Sequence, residues 1–478
     1  MSSSTPHTWR KRFYNLHRFA GLLALIPIIS WTLSGLSHPF MSNWFRPSIA
    51  KESFKPLNMQ QLQPKLDLTT VLQKSKIDRF INFRLVSFNK TTWYQVLMPD
   101  SSYRYLNADN GAVLKDGDRA YGVFLARYFL QDQTAPVKRI TLQTQFDSQY
   151  QPINHLLPVW RVAFDRNDGM VVYVETAQNR LATFNNNTRK VLLGLFEEFH
   201  TWQFLRDIAG ENFRLMVLLV TVVVMLTAMV TGLVVYGFLW KRFKDIAQRR
   251  SHSNKPDSRY FQRIHRKLGL AISLVMFCFL MSAAFHIAVK MSGGKPQPRP
   301  FKQSINTNEL KVSNLHLPIP DSTINRIGLV KLDNQIYYQV LDSHKKTAYI
   351  NAQTGELLAN GDEHFATFLT QWYSGTKLKP DSVKLIKNFN NEYGFINKRL
   401  PVQRVSFGRE NWYIETATGQ LSTKVGSLDR AEGLSFIFLH KFFGMAWAGK
   451  DIRDIVSILS ALGILVVALF GFAAYIKK

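Results

Sequence analysis

The chain has 478 residues, 46% of them hydrophobic and 13% aromatic, with a formal net charge of +27. Its single cysteine, Cys278, lies in an apolar run, which excludes a disulfide framework, a cysteine metal cluster and any C-x-x-C-H motif. The charge is not a nucleic-acid footprint: residues 1–40, 241–267 and 477–478 carry net +4, +8 and +2, about half of the total, and all border apolar spans.

In chain order, residues 1–40 form a tail and a first span, with Arg10-Lys11-Arg12 ahead of an apolar run from Phe19 to Phe40. A charged start before an apolar run also resembles a signal peptide, but a matching run at 268–289 lies in mid-chain, where no signal peptide stands. Residues 41–212 are polar and strand-rich, with an alternating run at Trp93-Tyr94-Gln95-Val96-Leu97 and a turn over Asn107–Gly111. A second span is expected over 213–240 and a basic linker over 241–264. The third span follows over 265–290, a second polar domain over 291–452 and a last span over 453–478, which ends on Lys477-Lys478. The expected fold is a membrane α-helical bundle of four spans carrying two α+β domains. The basic segments place both termini and the linker in the cytoplasm, and the domains on the opposite face. In a Gram-negative cell that compartment is the periplasm.

The chain repeats itself. Tyr94-Gln95-Val96-Leu97 matches Tyr338-Gln339-Val340-Leu341, and Asn107, Gly111 and Leu114 match Asn351, Gly355 and Leu358. Leu157-Pro158-Val159 matches Leu400-Pro401-Val402, and Glu175-Thr176-Ala177 matches Glu415-Thr416-Ala417. His17 and His38 map on His265 and His286 with one shared offset of 248, while His200 maps on His440. The pattern predicts two tandem copies of span, domain and span, in the same orientation, about a pseudo-twofold axis along the membrane normal.

His17 and His38 are 21 residues apart, as are His265 and His286. On a helix this separates them by roughly 31 Å, about one hydrocarbon thickness, and returns both imidazoles to nearly the same side. A lone histidine beside an arginine reads as an interfacial residue; the repeated spacing favours a functional one. Two equivalent histidines that face one axis from opposite sides suit the axial positions of a low-spin haem between helices. The candidate ligands are His17, His38, His200, His265, His286 and His440. Arg18 and Arg266, which follow the inner histidines, are candidates for pairing with haem propionates. His7, His155, His252, His316, His344 and His364 have no counterpart in the other copy and read as surface residues.

The Leu16-His17-Arg18 start with Gly21, the Leu439-His440 pair ahead of a span and Thr231-Gly232 within one resemble the PepSY-associated transmembrane family. So does the element Asn351-Ala352-Gln353-Thr354-Gly355-Glu356-Leu357. The first copy departs from the pattern with Asp109-Asn110, and the fourth span carries Leu469-Phe470-Gly471 in place of Thr-Gly. The resemblance implies PepSY-like periplasmic domains on a bacterial inner-membrane protein tied to iron uptake, among whose relatives are ferric-siderophore reductases with b-type haems. The expectation is then a transmembrane reductase with at least two haem b groups. The inner one would sit on His17 and His265, and one or two outer ones would be served by His38, His286, His200 and His440. The outer pairing stays open between His38 with His286 and the within-copy pairs. The acceptor is a ferric siderophore or other ferric chelate. No G-x-G-x-x-G follows a strand, so a quinol or a cytoplasmic flavoprotein supplies the electrons. Membrane lipids are the remaining partner, no nucleic acid is expected, and no residue is assigned to bond-making chemistry. Rival readings are a cofactor-free scaffold or regulator of envelope peptidases, and a siderophore permease, for which the 215–240 and 268–289 runs offer no acidic proton relay.

Overall fold

The computed structural model describes residues 5–241, 244–245, 259–293, 301–310 and 319–477; most of the expected linker, with His252, and also His316, lies outside them. The chain divides into two compact units. One comprises residues 1–46, 188–295 and 428–478, and the other comprises 47–187 and 296–427.

The first unit contains four helices long and apolar enough to cross a membrane, over Trp9–Trp44, Gln203–Phe238, Tyr260–Met291 and Phe443–Ile476. Each exceeds the roughly 20 residues that a hydrocarbon core requires. Large apolar side chains such as Ile26, Val220, Leu274 and Leu459 point outward, the reverse of what water selects and the arrangement that lipid demands. Inside, Ala24, Leu215, Leu218, Val222, Met225, Leu280 and Ile287 form a core from three of the spans. The first span packs on the second and fourth, and the third packs on the same two. The first and third spans therefore face each other along a diagonal.

Two glycines decide how the second and fourth spans begin. Gly210 (φ 85°, ψ 171°) interrupts the helix Gln203–Phe238, and Gly449 (φ 84°, ψ 172°) opens the helix Gly449–Ile476. No heavy atom lies within 4 Å of a Cβ built at either position. Glycine serves here for its left-handed backbone and not for space. Each kink is preceded by a left-handed aromatic residue, Trp202 (φ 51°) and Phe442 (φ 50°). Ahead of them the amphipathic helix Asn187–Phe199 leads to His200, and the helix Ser427–Ser435 leads through one wide turn, Phe436–His440.

The second unit is built of small antiparallel sheets and is α+β. Strands Asn82–Phe88, Thr91–Leu97, Tyr103–Asn107 and Val113–Leu114 form a meander. The helix Gly117–Leu130 follows, and then a second meander over Val137–Gln143, Val159–Phe164, Val171–Glu175 and Arg180–Asn185. Further along the chain a three-stranded meander over Ile324–Leu332, Gln335–Asp342 and Thr347–Asn351 is followed by the helix Gly361–Ser374. A four-stranded meander runs from Ser382 to Val425, and a short antiparallel pair joins Arg79–Phe80 to Ile305–Asn306. The turn expected at Asn107–Gly111 is present, with Asn107 Oδ1 accepting from the backbone N–H groups of Asp109 and Asn110. Asn351 Oδ1 does the same for Gln353 and Thr354.

One hydrophobic core takes Phe83, Tyr94, Val96 and Leu106 from the first meander and Ile327, Leu329, Tyr338, Val340 and Ile350 from the third. The sheets also meet at an edge, where Asn82 Oδ1 accepts from Leu329 N at 2.8 Å. Charged groups knit the unit further. Glu415, fully buried, pairs with Arg180 and accepts from Arg399 at 2.6 Å, while Glu175 accepts from Arg180 at 3.2 Å. Burial alone would push the Glu415 carboxyl up, but the two guanidinium groups outweigh it and hold it well below its usual range.

Candidate cofactor-binding site

All six candidate histidines lie in the first unit. His17 projects from the first span and donates from Nδ1 to the Ala228 carbonyl of the second at 2.8 Å. His265 projects from the third span and donates from Nδ1 to the Val467 carbonyl of the fourth at 2.9 Å. A carbonyl only accepts, so both rings carry the proton on Nδ1 and keep the Nε2 lone pair free. One turn beyond each carbonyl stands a glycine. A Cβ at Gly232 would come within 2.9 Å of His17 Cε1, and one at Gly471 within 2.9 Å of His265 Cε1. The imidazoles thus fill notches that only glycine leaves. The fourth span has Phe470 beside Gly471 where the second has Thr231, and its ring packs near Tyr260 and Phe261 without disturbing the His265 hydrogen bond.

The His17 and His265 ring centres are 6.0 Å apart with planes 40° from parallel. Two imidazoles bound trans to one metal, with metal–nitrogen bonds of about 2 Å, have ring centres roughly 6 Å apart. The spacing, the fixed tautomer and the glycine notches fit a bis-histidine haem. Among the described residues no three His, Cys, Asp or Glu side chains converge as a bare ion would require. Arg18 lies over the rings of Tyr14 and Tyr475, at 5.7 and 4.7 Å.

The other four histidines gather about two phenylalanines. Phe196 stacks on His200 at 4.6 Å and has His38 at 5.8 Å; Phe436 stacks on His440 at 5.2 Å and has His286 at 5.9 Å. His200 Nδ1 donates to the Trp31 carbonyl at 3.3 Å, with the Ser34 hydroxyl at the same distance. His286 Nδ1 donates to the Glu432 carboxylate. His440 Nδ1 is buried with no hydrogen-bond partner, and Ser282, which occupies the place of Ser34 at the offset of 248, has a buried hydroxyl in the same condition. The His440 ring lies within electrostatic reach of His200, His38 and His286. Burial pushes the pKa of His200 down to about 4 and, with His200 and Lys441 adding to it, that of His440 down to about 3. Both are therefore neutral near pH 7, the form that binds metals.

The sequence left several of these partners unread. The carbonyls of Ala228 and Val467 carry no signal in side-chain identity. Phe196 and Phe436 do carry one, since each stands four residues before its histidine. Glu432 has Leu192 at the matching place of the first copy, so the repeat pattern gave no cue. The surface histidines His155, His344 and His364 are exposed.

No protein-family model matches the chain, and a search of curated proteins gives no match, so the family likeness rests on the motifs quoted above.

Proposed function

We propose that the protein is a bacterial inner-membrane reductase that passes electrons across the membrane to a ferric siderophore or other ferric chelate on the periplasmic side. The observation that carries this reading is the opposed pair His17 and His265, 6.0 Å apart and each held by a backbone carbonyl. A haem on that pair would supply one-electron redox chemistry. The chain's part is to bind and orient. The Ala228 and Val467 carbonyls fix the tautomer and the ring planes, as outer hydrogen bonds do for metal-bound histidines. The outer group of His38, His200, His286 and His440 is suited to hold a further haem, and Arg18 and Arg266 are the candidates for propionate contacts near the inner one.

The charge pattern supports a cytoplasmic placement of the termini and a periplasmic placement of the sheet domains. The matched contacts of His17 and His265, of Phe196 and Phe436, and of Gly210 and Gly449 support a tandem duplication of PepSY-associated type. A quinol or a cytoplasmic flavoprotein is the proposed donor. The test is direct: detergent-purified full chain carries at least two haem b per chain, with low-spin absorption bands. A haem content near zero in cells well supplied with iron and haem precursor would instead favour a cofactor-free scaffold.

A further inference from the structure

The two halves of the first unit differ at one point that the histidines do not explain. Four residues after each kink glycine stands an arginine, Arg214 after Gly210 and Arg453 after Gly449. Arg214 is fully engaged: Nε and Nη2 donate to Glu211, and Nη1 donates to the Thr201 carbonyl at 2.7 Å. At the corresponding places beside Arg453 stand Lys450 for Glu211 and Lys441 for Thr201. The guanidinium lies 4.2 Å over the Phe443 ring, and its Nε and Nη1 are buried without a hydrogen bond.

The nearby carboxylates are already taken. Asp454 accepts from Lys450 and Asn43, both at 2.9 Å, and Asp451 accepts from Asn43 at 2.7 Å. Lys441 lies within charge range of Asp454, Lys450 and Arg453, and also of His38 and His440, so cations outnumber the one carboxylate there. Arg453 is partly exposed, but two of its guanidinium nitrogens are shut away from water with no acceptor, which is costly. Its fork geometry matches a carboxylate.

We propose that Arg453 and Lys441 form an anion site for a carboxylate group beside the outer histidines, present in the second half of the chain and absent from the first, where Glu211 fills the same role internally. Two sources have this chemistry, a propionate of an outer haem and a carboxylate of the ferric chelate. Only the first of them rests on the haem reading.

The experiment compares wild type with Arg453→Gln, Lys441→Gln and Arg453→Lys, as full chains in lipid nanodiscs. One arm loads haem-free protein with haem b or with haem b dimethyl ester and follows haem loss to apomyoglobin. The other measures binding of gallium citrate, a redox-inert carboxylate chelate, by calorimetry. If a propionate occupies the site, Arg453→Gln loses one haem b about tenfold faster than wild type, while the dimethyl ester leaves both at equal rates. If the chelate occupies it, gallium citrate affinity falls about tenfold and haem retention is unchanged. A loss of one charged hydrogen-bonded contact is the origin of either factor. Arg453→Lys should recover part of the effect, and Lys441→Gln should reproduce it should Arg453→Gln fail to fold. Wild type that takes up no haem yet binds gallium citrate through Arg453 would uphold the site and refute the haem reading. Unchanged haem retention and unchanged citrate binding in both glutamine variants would overturn the proposal.

Discussion

Gly232 holds open the space that the His17 ring fills: a methyl group there would stand 2.9 Å from Cε1, inside van der Waals contact. Gly471 stands in the same relation to His265. The Gly232→Val and Gly471→Val variants should each displace one imidazole from the pair and remove one haem per chain, with the remaining absorption bands intact. Haem stoichiometry from the pyridine haemochrome assay checks this, and full occupancy in both would remove the opposed pair from consideration as ligands.

The inner and outer histidines should fail separately. His265→Ala should lose the inner haem and keep the outer one, because roughly 31 Å of helix separates the two ends. Reduction of a periplasmic ferric chelate by the natural donor should collapse, whereas a small reductant added outside should still reduce the haem that remains. His286→Ala should leave the inner haem reducible from the cytoplasm and impair delivery to the chelate. Full haem content with full ferric reduction in His265→Ala would make that residue merely interfacial.

Glu432 accepts from His286, and the equivalent place beside His38 is held by Leu192. A carboxylate on the distal nitrogen of a metal-bound imidazole raises its basicity and favours the oxidised metal. Glu432→Gln should therefore raise the midpoint potential of one haem and leave the other in place. A charge-assisted bond contributes on the order of 1 kcal/mol, which for one electron is a shift of some tens of millivolts, at about 59 mV per tenfold change. Potentiometric titration of the full chain resolves this, and two unmoved potentials would separate Glu432 from the redox centre.

In the sheet unit, Glu415 sits between Arg180 and Arg399 with no solvent exposure. Removing its charge leaves two buried cations under-compensated, a change that costs roughly 3–5 kcal/mol in comparable sites. Glu415→Gln should lower the thermal midpoint of the full chain in detergent by several degrees. Because its pKa is depressed in the folded state, the stability it contributes is complete above the unfolded value near 4.5 and is lost as pH falls below that. The wild type should accordingly lose stability in acid faster than the variant does, as followed by near-ultraviolet circular dichroism.

Much of the bundle was legible because hydropathy and helix period are local. The 21-residue spacing of His17 and His38 needs nothing beyond the rise of a helix, and the apolar runs announce themselves. What those signals do not carry is who faces whom. That His17 meets His265 depends on the first and third spans taking the diagonal, which follows from packing between residues more than 200 positions apart. The starts of the second and fourth spans show a further limit. Hydropathy begins at 213 and 453, but the helices run from Gln203 through the Gly210 kink and from Gly449. Polar residues such as Glu211, Asn212 and Arg214 lie in the helix because their backbones hydrogen-bond there. Arg453 was invisible for a different reason, since its interest lies in the partners it lacks.

The core shared by Phe83 and Val96 with Ile327 and Val340 sets an order of events during synthesis. The first meander leaves the ribosome with that apolar face covered only in part, by Leu68, Val71 and Leu72 of the preceding helix, and the rest of its cover lies some 240 residues later in the chain. At about 5–20 residues per second, the wait lasts on the order of ten to fifty seconds, during which the second and third spans must also be inserted. An exposed, β-prone face held open for that long is a substrate for holding chaperones. A chain truncated before residue 324 would keep the remainder of that face open.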